Sequence, residues 1–136
     1  MKKVELSKVS SKKIGRVLLN NAFLEPHEYR TILFLVEYGF NIEVLRPSGT
    51  PESNNPDIFM LGTIWEIKAL FKYNQNTMKR RFKKASHQSD HIVIDLRNMK
   101  KDSDIAKEYA QQLFEGSRTL KRMILITTDK TIDIKK

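Results

Sequence analysis

Residues 57–69, DIFMLGTIWEIKA, constrain this chain more than any other stretch. Two apolar runs flank Leu61-Gly62, so the segment reads as two strands, Asp57 to Met60 and Thr63 to Ala69, joined by a tight turn. Strands this apolar belong inside a sheet, yet they carry Asp57, Glu66 and Lys68. A charge inside a buried strand is costly unless it is paired or bound to a metal. The three are rim charges, a structural salt bridge, or a cluster that does chemistry.

Strand alternation sends Glu66 and Lys68 to one face and Trp65, Ile67 and Ala69 to the other, into packing. Pairing about Leu61-Gly62 can bring Asp57 toward the Glu66 side, so that two carboxylates and one ammonium converge at a sheet edge. Asp57 and Glu66 are hard oxygen ligands of the kind Mg²⁺ takes, and the backbone carbonyl of Ile67 can add another. Such an ion polarises a phosphodiester and acidifies a bound water. Lys68 can orient that water or stabilise charge in the transition state. The competing reading is a cross-strand salt bridge from Lys68 to Asp57 or Glu66, worth little at a surface.

The rest of the chain supplies a frame for this hairpin. Ser10 or Ser11 caps a short helix with Ile14, Val17, Leu18 and Ala22 on one face. A second helix runs from Pro26 to Tyr38, with Thr31, Ile32, Leu35 and Val36 as its buried stripe and Gly39 ending it. Residues 40–45 alternate as a strand, and the Pro-, Gly-, Ser- and Asn-rich stretch from Arg46 to Asn55 is a mobile loop. After the hairpin, Asn74 to Ser86 is a basic helix, with Met78, Phe82 and Ala85 inward. Ile92 to Leu96 is a buried strand. Asp102 to Glu115 is an amphipathic helix closed by Gly116, with Ile105, Tyr109, Leu113 and Phe114 on or near its apolar face. Met123 to Thr127 is a further buried strand, and Thr131 to Ile134 returns as a last edge strand. The order predicts an α/β domain, a mixed β-sheet flanked by helices. A length of 136 residues suits one domain: a basic helical extension over 1–24, then a core over 25–127.

Composition narrows the partners. Lys and Arg total 25 against 16 Asp and Glu, a net charge of +9, which favours a polyanion, nucleic acid being the commonest. The absence of cysteine excludes disulfides, thiolate catalysis and cysteine-held zinc. No run approaches membrane-spanning length, and no apolar signal-peptide segment follows Met1. No phosphate-binding glycine loop, dinucleotide fingerprint or serine-hydrolase elbow occurs.

The basic helix follows the charged strand by one loop, and its Lys79, Arg80, Lys83 and Lys84 can grip a phosphate backbone. The plainer reading is a solvated helix face. His27, His87 and His91 are the only histidines. His87 suits a helix cap or a proton donor to a leaving oxygen, and His91 a structural role. Trp65 reads as core. Phe71 and Tyr73, in the loop after the strand, are better placed to stack on bases.

With Pro56-Asp57 and Glu66-Ile67-Lys68, the hairpin resembles the PD-(D/E)xK nuclease superfamily. The helix before it, EYRTILFLVEYGFNIEVL, is similar to the superfamily's preceding helix and strand. That resemblance implies a restriction-endonuclease-like core and an acidic helix residue at Glu28, with Glu37 a second candidate. A first-turn acid favoured by the helix dipole accounts equally for Glu28. It also implies that Lys84 and Gln88 lie nearest the site.

Within the superfamily the chain is most similar to the C-terminal tRNA nuclease toxin domains of contact-dependent growth inhibition proteins, over roughly Glu25 to Thr127. The likeness lies in NPD…G…WE-x-K, the basic helix and KKASHQSDHIVIDL. It implies divalent-metal cleavage of RNA, tRNA above all. It implies an acidic immunity protein as partner, and action in the cytoplasm after delivery within a larger secreted protein. Two alternatives stand beside it: a DNA endonuclease of the same superfamily, and a non-catalytic nucleic-acid-binding module.

Overall fold

The structure, a computed structural model, describes residues 1–45 and 57–136. The loop expected over Arg46 to Asn55, together with Pro56, lies outside the described residues. Eight strands and three α-helices make up the described chain: β1 (Lys2–Leu6), β2 (Val17–Leu18), α1 (Pro26–Val36), β3 (Ile42–Val44), β4 (Asp57–Met60), β5 (Thr63–Ala69), α2 (Gln75–Gln88), β6 (His91–Asp95), α3 (Ser103–Gly116), β7 (Arg122–Ile126) and β8 (Thr131–Lys135). Parallel pairs (β2 with β3, β6 with β7) mix with antiparallel ones, so the expected mixed α/β class holds. None of the described helices is long and apolar enough to cross a membrane.

The chain folds as two compact units, Ser7–Ile67 and Met1–Leu6 with Lys68–Lys136. In the first, the strands run in the order β2-β3-β4-β5. Helix α1 begins at Pro26, whose fixed φ suits a first helical position. It closes where Gly39, at φ 88°, donates its N–H to the Val36 carbonyl at 3.0 Å. The β4–β5 turn has both central residues at positive φ, Leu61 at 55° and Gly62 at 77°. That mirror-image turn matches the twist of the two strands it joins. The Trp65 indole N–H then donates to the Met60 carbonyl at 2.8 Å and clasps the hairpin from its buried side.

In the second unit the order is β1-β8-β7-β6. Alternation is strict: Ile92 and Ile94, Met123 and Leu125, Ile132 and Ile134 lie in one core cluster with Met78, Phe82 and Ala85 of α2 and Ala106, Ala110 and Phe114 of α3. Arg122 braces this sheet by donating twice to the Asp133 carboxylate, at 2.9 and 2.6 Å.

Several expectations fail, each for a physical reason. The basic helical extension is instead strand β1, paired antiparallel with β8, then a single 3-10 turn at Ser11–Lys13 and the two-residue β2. No helix forms through Gly15 because the backbone there bonds to other segments: the Gly15 N–H donates to the Val36 carbonyl at 2.8 Å, the Arg16 carbonyl accepts from the Ile42 N–H at 2.8 Å, and Val17 and Leu18 pair with β3. Because β1 covers β8, the last strand is interior rather than an edge. On α3 the buried stripe is Ala106, Ala110, Gln111 and Phe114, while Ile105 is exposed.

Candidate active site

The β4–β5 register is Asp57↔Glu66, Ile58↔Trp65, Phe59↔Ile64 and Met60↔Thr63. Residues directly opposite in an antiparallel pair share a face, with Cβ positions about 5 Å apart. One face of the hairpin therefore holds Ile58, Met60, Trp65 and Ile67, all buried. The other carries positions 57, 59, 64, 66 and 68. It grades from exposed Phe59 and Ile64 beside the turn to Glu66 at 1% and Lys68 at 2% exposure. The sequence places these charges at a sheet edge; the structure closes them off. A buried carboxylate and a buried ammonium each lose several kcal/mol of hydration, so opposite charge is needed beside them. Lys68, two positions along from Glu66 on the same strand, supplies a charge of that sign.

Glu28 is also buried, at 4% exposure, in the first turn of α1. Its Oε1 accepts the Glu25 backbone N–H at 2.8 Å, the return half of a capping box. The helix-terminus role is thus real, and it occupies one oxygen; Oε2 is enclosed by protein. Glu37, the second candidate, stands at the surface, 2.8 Å from the Lys8 ammonium.

The residues fit a hard divalent cation in a limited sense. Among the described residues no three His, Asp or Glu side chains cluster into a ready cage. Mg²⁺ does not require one, since it binds through one or two carboxylates and keeps several waters. Position 57 opposite Glu66, with the Ile67 carbonyl next along the strand, offers that donor chemistry within one unit.

Helix α2 belongs to the other unit. Asn74 caps it, its side chain accepting the Thr77 N–H at 2.9 Å. Lys79, Arg80, Lys83, Lys84 and Gln88 are all exposed, as are Arg81 and His87. The helix contains no acidic residue, so the like-charged i,i+4 pairs Lys79–Lys83 and Arg80–Lys84 go unrelieved along it. His91 accompanies Asp90, its Nδ1 2.6 Å from the carboxylate, which fits the structural role expected of it. That contact, helped by Lys121, holds the Asp90 carboxyl below the usual range.

Sequence reasoning missed one buried pair here. Asp95, 1% exposed at the end of β6, accepts from Arg97 through the backbone N–H at 3.0 Å and the guanidinium at 2.9 Å. The local signal was the Asp-Leu-Arg run at a strand end, which reads as an ordinary exit into a loop.

A family model described as the contact-dependent growth inhibition CdiA C-terminal domain matches residues 54–132. Among solved structures the chain is similar to the CdiA-CT/CdiI toxin and immunity complex from Burkholderia pseudomallei. The match has a TM-score of 0.65 and 18% identity and covers 90% of this chain and 100% of that one. At that identity the likeness is one of fold. No curated protein matches.

Proposed function

Because this chain belongs to the contact-dependent growth inhibition CdiA C-terminal domain family, we propose that it is a toxin domain whose β4–β5 hairpin cleaves nucleic acid, tRNA first. The observation that carries this reading is the burial of Glu66 and Lys68 on one face of β5, with Asp57 opposite Glu66 in register. A fold gains little from burying unlike charges when apolar residues of the same volume would serve. A hydrolytic site gains a water-poor pocket of fixed charge.

Asp57, Glu66 and the Ile67 carbonyl would hold a divalent cation, Mg²⁺ by donor chemistry. When bound, the ion supplies polarisation of the phosphodiester and a more acidic water. Lys68 places a fixed positive charge where negative charge develops on the phosphoryl oxygens, or donates to the attacking water. Glu28, buried in the first turn of α1 in the same unit as the hairpin, would add a further carboxylate. Helix α2 offers Lys79, Arg80, Lys83 and Lys84, with Gln88, to the phosphate backbone. An acidic immunity protein is the fitting inhibitor for so basic a chain, and the solved relative is itself a toxin held with its immunity protein.

The test is cleavage of total tRNA, with plasmid DNA alongside, by wild type and Glu66→Gln, with and without Mg²⁺. Metal-dependent loss of tRNA by wild type alone supports the reading. Plasmid cleavage in its place moves the substrate to DNA. Intact binding with no cleavage, unchanged by the substitution, leaves the three charges structural and the protein a binding module.

A further inference from the structure

In the second unit, the exits of β5 and β6 are tied together. The Leu70 N–H donates to the Asp95 carbonyl at 3.0 Å, and the Leu96 N–H to the Ile126 carbonyl at 2.9 Å. The Asp95–Arg97 pair then fixes the start of the loop after β6. Two short segments, 71–73 and 97–102, thus leave the sheet side by side. Between them is an open cavity of about 520 Å³, lined by Phe71, Tyr73, Asn98, Asp102 and three lysines, Lys72, Lys100 and Lys101.

The lining divides the labour between apolar and polar groups. Tyr73 is half-buried and meets Tyr109 edge-on, ring centroids 6.4 Å apart at 89°, so it is a braced wall. Phe71 is 50% exposed, an aromatic surface with water on much of it. Three lysines against one aspartate give the lining a net positive charge. The volume lies within the range of pockets that enclose one small ligand.

We propose that this cavity takes one unpaired nucleotide of a single-stranded nucleic acid, Phe71 stacking on the base and Lys72, Lys100 and Lys101 meeting the flanking phosphates. The inference rests on the nucleic-acid reading above and gives it a subsite apart from the cations of α2. Stacking tolerates any base, because every base has a π-face.

The experiment uses the full chain carrying Glu66→Gln, in EDTA, so that cleavage does not intervene. Binding of a short fluorescein-labelled single-stranded oligoribonucleotide is followed by anisotropy. A set of copies, each with one abasic position, is measured beside it. Phe71→Ala is expected to weaken binding ~5- to 150-fold, the range that removing one stacked base spans, while Phe71→Trp retains it. One abasic position should cost the Phe71 protein a similar factor and the Phe71→Ala protein nothing more. Lys100→Gln with Lys101→Gln should flatten the salt dependence by about 0.7 in log–log slope for each phosphate no longer neutralised, leaving the abasic effect in place. A flat abasic scan, or unchanged binding by Phe71→Ala, overturns the pocket. If tRNA is still cleaved in that case, the nuclease reading survives alone. Phe71-dependent binding without any metal-dependent cleavage leaves the pocket standing and removes the nuclease. No binding at all overturns the pocket, and with it the nuclease where wild type with Mg²⁺ also leaves tRNA intact.

Discussion

Glu28 carries two roles that a single residue can separate by substitution. Its Oε1 caps α1 through the Glu25 amide, and glutamine can accept that same bond. Glu28→Gln is therefore expected to keep the melting temperature of wild type, whereas Glu28→Ala loses about 1 kcal/mol of stability with the cap. If Glu28 also serves the hairpin site, Glu28→Gln lowers tRNA cleavage without lowering stability; equal activity at equal stability assigns the residue to the helix alone. Leu61 gives a cleaner stability prediction. It holds φ 55° at the hairpin turn while half-exposed, in a conformation that costs an L-residue roughly 1–2 kcal/mol and that asparagine tolerates. Leu61→Asn is expected to raise the melting temperature by roughly 2–8 °C in a thermal scan. At this scale the hairpin motif was open to reading, because Asp57, Glu66 and Lys68 sit at positions that strand alternation and one two-residue turn assign. The depth of Lys68 was not, because an aliphatic stem with a charged tip suits a rim as well as an interior.

Among the elements, those with a strong period came through. Strands β4 and β5 match the expected residues at both ends, and α2 begins one residue beyond the expected Asn74, which caps it. Strand β1 escaped notice because Lys2, Lys3 and Glu5 give it no apolar run; it is held by its ladder to β8 rather than by burial. Segment 14–22 failed the other way, since Ile14, Val17, Leu18 and Ala22 keep a helical spacing while the backbone of 15–18 gives its hydrogen bonds to Val36 and β3 instead. The junction before β6 carries a prediction in pH. The Asp90 carbonyl accepts the Lys121 N–H at 2.8 Å, and its carboxylate pairs with His91 and Lys121. Those partners lower the folded carboxyl below 3.8, so its contribution to stability is present above that value and lost as pH falls through the lower folded one. Asp90→Asn removes the contribution at all pH. The melting-temperature gap between wild type and variant is expected to be steady near neutrality and to close below about pH 4. No gap at any pH would assign Asp90 only its backbone role, which asparagine keeps.

Over the whole molecule, fold class and charge were the most legible properties. The class follows from short apolar strands interleaved with helical periods. The net charge of +9 follows from counting. The division into two units was not legible, because β5 runs through the boundary at Ile67 and Lys68 without any break in its pattern. What the charge serves can be decided on α2. Replacing Lys79, Arg80, Lys83 and Lys84 by glutamine removes four positive charges from an exposed face, keeps a good helix former at each position and relieves two repulsive pairs. Stability should hold or rise slightly. If the helix grips phosphates, single-stranded RNA affinity falls and the log–log salt slope flattens by about 0.7 for each phosphate released, up to about 3 in all. If the helix instead serves an acidic protein partner, the RNA slope stays as in wild type, and association with that partner slows most at low salt, where steering by opposite charge is strongest. Parallel anisotropy titrations across a range of salt concentrations separate the two. A flattened slope on RNA would make α2 a phosphate-binding face of the second unit. A retained slope would leave the cations beside Phe71 as the principal nucleic-acid contact of the second unit.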